Sequence, residues 1–242
     1  MEKIFDGRNA LVIGGTGGLG RAVALGLALR GARLTIQGGG SRERLEGTLA
    51  ALREAGAEAE GFLYDLADPV SAAGLLRRSP PPDILVCAWG PYKRCALEEL
   101  RPEDWVSLTA NNLILPGVLI SAVLPGMIRR NWGRVLLFGG TNTDSIRGFA
   151  TTAAYSAAKT ALGVLAKSVA LTAGPQGVSC NVICPGLVDT EYADEAVRAY
   201  NRERSPGGKA LSPDEIAGFA LRIMEHPQVN GAVIPIDRGL KL

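Results

Sequence analysis

The sequence predicts one domain over residues 1–242, with a doubly wound parallel α/β sheet of about seven strands. Short apolar runs alternate with helical patterns along the chain, and this alternation is typical of βαβ units. The runs at 84–86 and 135–137 are entirely apolar, so we expect strands that are buried on both faces. The predicted strands are residues 8–13, 33–37, 58–64, 83–87, 133–138, 178–184 and 232–236.

The stretches between these strands carry the signals of helices. Residues 153–173 are rich in Ala, Leu and Val and contain no proline, which favours a long, mostly buried helix. Residues 102–130 are also expected to be mostly helical, with kinks at Pro116 and Pro125. Shorter helices are predicted at 21–30, 42–55 and 68–77.

The last quarter of the chain carries one charged stretch and one clear helix start. Residues 191–206 are rich in charge, so we predict a mobile helical flap at about 190–210. These charges are equally compatible with a solvated face. Ser212 as N-cap, Pro213 at the first position and Glu215 in a capping box predict that the next helix begins there.

Composition and charge indicate a globular protein and exclude several classes of function. Charged residues make up 21% and hydrophobic residues 47% of the 242 residues, so the chain can bury a substantial core. The net charge of +2 is too small for a nucleic-acid-binding surface. No membrane association is expected, because the most apolar stretch, 113–127, is too short for a span. Residues 1–5 begin no apolar signal segment.

The cysteines and the single histidine do not form a metal-binding pattern. Cys87, Cys95, Cys180, Cys184 and His226 lack the spacing of a metal site, so no metal is predicted. Cys180 and Cys184 lie in an apolar run and are expected to be buried thiols. This cysteine usage is typical of a reducing compartment, and we therefore expect a cytoplasmic protein.

A glycine-rich loop follows the first predicted strand and precedes a helix. Gly14, Gly18 and Gly20 have the spacing G-x-x-x-G-x-G, which differs from the widely used G-x-G-x-x-G. Glycines let the backbone approach a pyrophosphate closely, and amides at the start of a helix can then donate to it. Tight turns also use glycine, so it is the position between strand and helix that favours phosphate binding.

The end of the second predicted strand bears on the choice between NADP and NAD. The adenosine ribose of a dinucleotide would lie there. No Asp or Glu stands at this end to hold a 2′-hydroxyl, whereas Ser41 and Arg42 could hold a 2′-phosphate. The sequence thus favours NADP, with NAD possible. The alternative is that Ser41 caps the next helix and Arg42 lies on the surface.

Further polar and glycine residues follow the other predicted strands. They are Asp65, Gly90, Gly140, Thr141 and the pair at 185–186. The carboxyl ends of parallel strands meet at one edge of a sheet, where ligands bind in folds of this type. We therefore expect one site that collects these residues.

Tyr155 and Lys159 are four positions apart in the long predicted helix. This spacing places both side chains on one face, one turn apart. A neighbouring ammonium favours the phenolate, so we expect the pKa of Tyr155 to lie below its ordinary value and the hydroxyl to serve as an acid or base. The alternative is a tyrosine at a helix start and a solvated lysine.

Together these stretches resemble the short-chain dehydrogenase/reductase family, a family with a single-domain Rossmann-type fold, and are most similar to its 3-oxoacyl-(acyl carrier protein) reductases. The resemblance covers nearly the whole chain, and its motifs occur in the family's order. They are the glycine loop before Arg21, Asp65-Leu66, Tyr155 with Lys159, Asn181 with Pro185-Gly186 and Thr190, and the closing residues 231–239.

The resemblance implies hydride transfer between a nicotinamide and a carbonyl/alcohol substrate, most simply NADPH-dependent reduction. Tyr155 would be the general acid, Lys159 would lower its pKa and bind the nicotinamide ribose, and Asn112 would hold a water in a proton relay. A homo-oligomer, tetramer or dimer, is also implied, with residues 102–130 and the Tyr155 helix at its interfaces. The expected cofactor-binding residues are Gly14, Thr16, Gly18, Leu19, Gly20, Ser41, Arg42, Asp65, Leu66, Ala88, Gly90, Tyr155, Lys159, Pro185, Gly186, Val188 and Thr190.

Two departures from the family pattern bear on catalysis. Gly140 stands where the family has a serine that orients the substrate carbonyl, and Thr141 or, as a weaker candidate, Ser145 could supply the hydroxyl. The element usually read as Asn-Asn-Ala-Gly after the fourth strand is residues 87–90, Cys-Ala-Trp-Gly, and Trp89 could line the pocket or pack in the core.

These departures keep a second class of function open. A catalytically silent dinucleotide-binding sensor or partner subunit is the alternative, although Tyr155 and Lys159 argue against it. An epimerase or dehydratase that acts on nucleotide sugars fits less well, because the C-terminal part is too short for a separate sugar-binding lobe. The sequence does not identify the substrate.

Overall fold

A computed structural model of the protein describes residues 2–66, 68–69 and 71–240. Seven parallel strands form one sheet in the order β3-β2-β1-β4-β5-β6-β7. The predicted fold class is confirmed, and each predicted strand limit agrees with the observed one to within one residue. The strands are β1 (Asn9–Ile13), β2 (Arg33–Gly38), β3 (Ala59–Leu63), β4 (Ile84–Cys87), β5 (Gly133–Phe138), β6 (Val178–Pro185) and β7 (Val233–Ile236).

The strand order reverses at β1, which pairs with β2 on one side and with β4 on the other. In an open parallel sheet, the crevice for a ligand lies beyond the carboxyl ends of the strands at such a switch point. The residues that follow β1, β4, β5 and β6 therefore lie around one region. The polar and glycine residues that the sequence singled out belong to these connections.

Helices cover both faces of the sheet. Alternate strand residues point to opposite sides: Val12 and Val86 belong to one apolar cluster with α1, α2 and α7, while Leu11 and Leu85 belong to the other with α4 and α5. This arrangement explains why the runs at 84–86 and 135–137 are entirely apolar. The helices are α1 (Gly18–Ala28), α2 (Arg42–Glu54), α3 (Pro102–Thr109), α4 (Leu115–Arg129), α5 (Ala153–Ala173), α6 (Glu195–Arg204) and α7 (Pro213–Glu225).

The apolar stretch from Pro102 to Arg129 is helical, as predicted, but it is not a regular α-helix. A π-helical segment, Ala110–Ile114, separates α3 from α4, and Pro116 follows in the first turn of α4. Among the described residues this is the one helical stretch whose length and hydropathy would suffice to cross a membrane. Leu115 and Leu119 are buried in the core against the sheet, and the core helix of a globular domain satisfies the same criterion.

The capping signal predicted from the sequence correctly places the start of α7. Ser212 and Glu215 form the predicted capping box at the start of α7. The charged stretch forms α6, which begins after Asp194 as N-cap and lies within the predicted flap. The predicted helix at 68–77 is a 3-10 helix, Ser71–Arg78, and residues 67 and 70 lie outside the described part of the chain.

Candidate active site

The glycine loop between β1 and α1 packs closely against the end of β4. Gly14 has a φ of +72°, a left-handed conformation that favours glycine. A Cβ on Gly14 would lie 2.7 Å from the Cβ of Trp89, and one on Gly20 would overlap the carbonyl of Gly14. Helix α1 begins at Gly18, before the predicted start at residue 21, so the unpaired amides of its first turn belong to the glycine loop.

A glutamine that the sequence analysis did not single out holds this loop in place. Gln37 is only 1% exposed, at the end of β2. Its Oε1 accepts a hydrogen bond from the amide of Gly14 at 2.9 Å, and its Nε2 donates to the carbonyls of Gly38 and Tyr64 at 2.9 and 2.8 Å. The available signal was an amide side chain near the end of a strand that is mostly buried, since a buried amide must find hydrogen-bond partners.

The segment before α6 lies over the glycine loop. The carboxylate of Glu191 accepts a hydrogen bond from the amide of Gly18 at 2.8 Å. The Tyr192 ring packs where a side chain on Gly17 would otherwise lie, and the guanidinium of Arg44 lies 4.9 Å from the centroid of that ring. The first turn of α1 therefore already binds an anionic oxygen, which is what the amides of a helix N-terminus favour.

Lys159 is a buried cation at the centre of the crevice. The side chain is 7% exposed, and its Nζ donates to the carbonyl of Phe138 at 2.8 Å. Burial lowers the pKa of Lys159 to about 8, an effect that the neighbouring thiols Cys87 and Cys184 partly oppose. The alternative of a solvated lysine is therefore wrong.

Tyr155 lies one turn before Lys159, as predicted, with the lysine Nζ 5.7 Å from the centroid of its ring. The Tyr92 ring meets the Tyr155 ring edge-on, with 5.1 Å between centroids. Burial raises the pKa of Tyr155, and Tyr92 and Cys184 add to the rise. The expectation that the pKa of Tyr155 lies below its ordinary value is wrong, because the loss of solvation raises this pKa.

Asn112 lies beside Lys159 and explains the glycine at position 90. Its Nδ2 donates to the carbonyls of Pro91 and Leu108 at 2.9 and 3.0 Å, while its Oδ1 is buried and accepts no hydrogen bond from the described residues. A Cβ on Gly90 would overlap Oδ1 and lie 3.4 Å from the Nζ of Lys159. A glycine is therefore required here for Asn112 to lie beside the lysine.

A cavity of about 450 Å³ opens at Tyr155, a volume that suits a small or medium organic molecule. It lies at the carboxyl end of the sheet, between helix α6 and the loops that follow β4, β5 and β6. Its lining residues are Tyr92, Arg94, Thr141, Asn142, Arg147, Gly148, Phe149, Ala150, Thr151, Thr152, Tyr155, Ser156, Leu187 and Tyr200.

Comparison with known proteins identifies the family. The family model for short chain dehydrogenase matches residues 8–201. The chain belongs to the short-chain dehydrogenase family. The expected family and enzyme class, an NAD(P)-dependent oxidoreductase, are confirmed.

Curated relatives of this dehydrogenase match over nearly their full length. It is 28% identical to D-beta-hydroxybutyrate dehydrogenase of Cupriavidus necator, with 98% of each chain covered. It is 29% identical to 3-oxoacyl-[acyl-carrier-protein] reductase of Escherichia coli, again with 98% of each covered. The expected similarity to 3-oxoacyl reductases is thus confirmed.

Solved structures agree with the fold. The 3-oxoacyl (acyl-carrier-protein) reductase of Agrobacterium tumefaciens, solved with NADP bound, is 30% identical and superposes with a TM-score of 0.89, covering 97% of this chain and 95% of that one. A mutant short-chain dehydrogenase/reductase of Serratia marcescens is 30% identical, with a TM-score of 0.88 and coverage of 97% and 98%. The expected cofactor class, NADP with NAD possible, agrees with the first of these structures.

Gly140 stands where the family resemblance implies a serine, and it lies against the ring of Tyr155. A Cβ on Gly140 would lie 2.8 Å from Cε1 of Tyr155, so the tyrosine ring packs against this glycine. Thr141 lines the cavity and its hydroxyl donates to the carbonyl of Gly186 at 3.4 Å. Ser145 is exposed and does not line the cavity, so Thr141 is the better candidate.

Two neighbours of Thr141 were not predicted. The hydroxyl of Thr143 is buried and exchanges hydrogen bonds of 2.8 and 2.9 Å with the amide and carbonyl of Gly140, which fixes the turn. Asn142 adopts a φ of 60° and lines the cavity. Left-handed non-glycine residues are uncommon, and asparagine is among the side chains that tolerate this conformation.

The residues predicted at the adenosine end have local partners in the structure. Ser41 accepts a hydrogen bond from the amide of Arg44 and caps α2. The side chain of Arg42 is 78% exposed, and its guanidinium lies 4.0 Å from the carboxylate of Glu46. The helix-cap alternative for Ser41 is therefore confirmed, while Arg42 is exposed at the same end of α2.

The remaining predicted cofactor residues lie at the strand ends, with different exposures. Leu66 is 3% exposed and belongs to the core, whereas Asp65 is exposed. Val188 pairs with Leu211 in an isolated bridge, and the methyl carbon of Thr190 lies 3.7 Å from where a Cβ on Gly18 would be. Of the others, Thr16 and Leu19 lie in the glycine loop and the first turn of α1, Ala88 follows β4, and Pro185 and Gly186 lie at the end of β6.

Cys87, Cys180 and Cys184 lie within the core cluster on one face of the sheet, and Trp89 packs against that cluster. Trp89 is partly buried, packs against the core cluster as one alternative predicted, and lies beside the glycine loop; it does not line the cavity at Tyr155. Cys180 and Cys184 are buried as predicted, and burial raises the pKa of Cys184 to about 11. Burial likewise raises the pKa of Cys87 to about 12. The raised pKa values favour the protonated thiols near neutral pH.

Proposed function

We propose that this dehydrogenase catalyses the NADPH-dependent reduction of a small carbonyl compound to an alcohol, with Tyr155 as the general acid. The observation that carries the proposal is the position of Tyr155 in the wall of the cavity, one turn from the buried Lys159. A phenol with a raised pKa is protonated near neutral pH, which is the form that a general acid requires.

The residues of the crevice fit a dinucleotide. When bound, the nicotinamide would supply the hydride to the substrate carbon. The glycine loop would hold the pyrophosphate: Gly14 and Gly20 leave room for close approach, and the amide of Gly18 already donates to the carboxylate of Glu191. Lys159 would bind the ribose hydroxyls, and residues 185–190 would cover the nicotinamide.

A proton path toward Tyr155 is supported by Asn112 and Lys159. The buried Oδ1 of Asn112 has no hydrogen-bond partner among the described residues, and such an oxygen calls for a bound water. Oδ1 and the Nζ of Lys159 both lie beside Gly90. A water held here would pass protons to Lys159 and on to Tyr155.

Thr141 would donate to the substrate carbonyl in place of the family serine. Its hydroxyl lines the cavity with Tyr155, and its hydrogen bond to the carbonyl of Gly186 is long, at 3.4 Å. A longer hydrogen bond is a weaker one, so the hydroxyl can turn to a substrate oxygen at little cost.

NADP is favoured over NAD at the adenosine end. The residues that close β2 and begin the next loop, Gly38 to Gly40, carry no carboxylate that would repel a 2′-phosphate. Arg42 is exposed beside the N-terminus of α2, where an anion would be favoured by both the guanidinium and the helix. Ser41 lies at the same end.

We further propose a cytoplasmic homo-oligomer, tetramer or dimer, that associates through the faces of α3, α4 and α5. Large apolar side chains are exposed on α3 and α5: Val106 at 69%, Val164 at 69% and Leu171 at 82%. Sedimentation equilibrium tests the assembly, and a monomer at micromolar concentration would contradict it.

The function is tested by titration with NADPH and NADH, followed by nicotinamide fluorescence, and then by a panel of ketones, oxo acids and 3-oxoacyl thioesters. We expect tight NADPH binding and oxidation by a panel member. Binding without turnover on any member would contradict the reductase and favour a dinucleotide sensor.

A further inference from the structure

Within the described part of the chain, the residues that line the cavity beside Tyr155 include two arginines and no carboxylate. Arg94 comes from the loop after β4, and Arg147 comes from the loop between β5 and α5. None of the lining residues is Asp or Glu, so the side chains around this cavity carry only positive formal charge. Such a lining raises the local concentration of an anion.

Neither arginine forms an ion pair within the part of the chain that the structure describes. The guanidinium of Arg94 instead lies over the Tyr200 ring, 5.7 Å from its centroid. A guanidinium that stacks on a ring keeps the N–H groups at its edge available for a further acceptor.

Lys93, the residue before Arg94, differs from Arg94 because it pairs with a carboxylate. Its ammonium lies 2.6 Å from the carboxylate of Asp104 and is neutralised by it. On α6, which contributes Tyr200 to the cavity, Arg202 lies 2.7 Å from the carboxylate of Glu195. Lys93 and Arg202 are thus each paired with a carboxylate, whereas Arg94 and Arg147, which line the cavity, are not.

We propose that the substrate carries an anionic group, a carboxylate or a phosphate, which Arg94 and Arg147 bind while its carbonyl faces Tyr155. This inference rests on the proposed reductase function and adds the chemical class of its substrate. The planar fork of a guanidinium matches the oxygens of both anions. The volume of about 450 Å³ leaves room for a small acid or phosphate ester.

The test compares a series of oxo acids of increasing length, each beside its methyl ester, with NADPH. The wild type is expected to favour acids over esters in kcat/KM by more than about tenfold. Arg94→Gln and Arg147→Gln should each lower that acid-to-ester ratio by about tenfold. Arg202→Gln is the matched control: it removes a positive charge from α6 outside the cavity and should leave the ratio unchanged.

The source of the anion is distinguished by inhibition. Malonate and inorganic phosphate are each titrated against ester reduction by the wild type and by the Arg94→Gln/Arg147→Gln double variant. Stronger inhibition by malonate indicates a carboxylate substrate, and stronger inhibition by phosphate indicates a phosphate ester. Either effect must disappear in the double variant.

The outcomes separate this inference from the proposed function. Reduction of esters as fast as acids, or an equal loss of the ratio in Arg202→Gln, would overturn the anionic substrate alone. Where no compound is reduced, calorimetric titration of the NADPH-saturated protein with malonate and phosphate decides the inference: no binding of either overturns it. Failure to bind NADPH would contradict the proposed function itself.

Discussion

The carboxylate of Glu191 accepts a 2.8 Å hydrogen bond from the backbone amide of Gly18, although 173 positions separate these residues along the chain. The amide belongs to the first turn of α1, where a dinucleotide's pyrophosphate would accept its hydrogen bonds. The amide of Gly18 cannot donate its hydrogen bond to the Glu191 carboxylate and to a pyrophosphate at the same time. The segment before α6 and the proposed cofactor therefore compete for the glycine loop.

Glu191→Ala is expected to bind NADPH about three to ten times more tightly than the wild type, because it removes one competing hydrogen bond and one repelling charge. Fluorescence titration measures the Kd. Glu195→Ala is the control: Glu195 is the first residue of α6, and its carboxylate contacts Arg202 instead of the glycine loop. An unchanged or higher Kd in Glu191→Ala would show that the carboxylate does not compete.

Arg42→Gln is expected to raise the Kd for NADPH about tenfold and to leave the Kd for NADH unchanged, because only NADPH carries the 2′-phosphate that the guanidinium would bind. Parallel titrations with both dinucleotides measure the ratio. Arg53→Gln, near the other end of α2, serves as the matched loss of charge. Equal changes for both dinucleotides would remove Arg42 from the 2′-phosphate site.

Thr141→Ala is expected to lower kcat about 100-fold and to leave the Kd for NADPH unchanged, because the hydroxyl would donate to the carbonyl only as charge develops on it. Single-turnover measurements with saturating NADPH report this step. Ser145→Ala should have no effect, since Ser145 is exposed outside the cavity. A loss confined to Ser145→Ala would assign the role to Ser145.

The pH dependence of turnover follows from Lys159, whose pKa burial lowers to about 8. Lys159 carries its charge below this pH and loses it above, and the charge strengthens its hydrogen bonds to ribose hydroxyls. We therefore expect kcat/KM for NADPH to fall as the pH rises through about 8. The raised pKa of Tyr155 keeps the phenol protonated in this range.

Arginine stays charged at all these pH values. We expect the Lys159→Arg variant to be less active than the wild type, but its activity should not fall near pH 8. Parallel pH profiles of both proteins provide the comparison. A wild-type profile that stays flat to pH 10 would contradict a titrating Lys159.

The sheet could be predicted from sequence because its signals are local. Strands buried on both faces appear as apolar runs, and Ser212 with Glu215 forms a cap within four consecutive residues. The π-helical segment Ala110–Ile114 could not be predicted, because it depends on how α3 and α4 pack around the sheet. The start of α1 at Gly18 was missed because glycine is a poor helix former.

The parts of the site that lie within one sequence motif could be predicted, whereas the contacts between distant segments of the chain could not. Tyr155 and Lys159 share a helix, so their proximity follows from spacing. The contacts of Gln37 with Gly14, and of Glu191 with Gly18, join segments that only the folded chain brings together. The direction of the Tyr155 pKa shift was predicted wrongly for the same reason. Burial depends on all the segments that fold around the side chain, whereas the sequence showed only the neighbouring Lys159.

The measurement that tests the central claim most directly is a comparison of NADPH binding and turnover in the wild type and Tyr155→Phe. The substitution removes one hydroxyl and keeps the ring that packs against Gly140 and Tyr92. We expect an unchanged Kd for NADPH and a loss of carbonyl reduction by at least about 100-fold. Turnover at the wild-type rate in Tyr155→Phe would contradict Tyr155 as the general acid and the mechanism built on it.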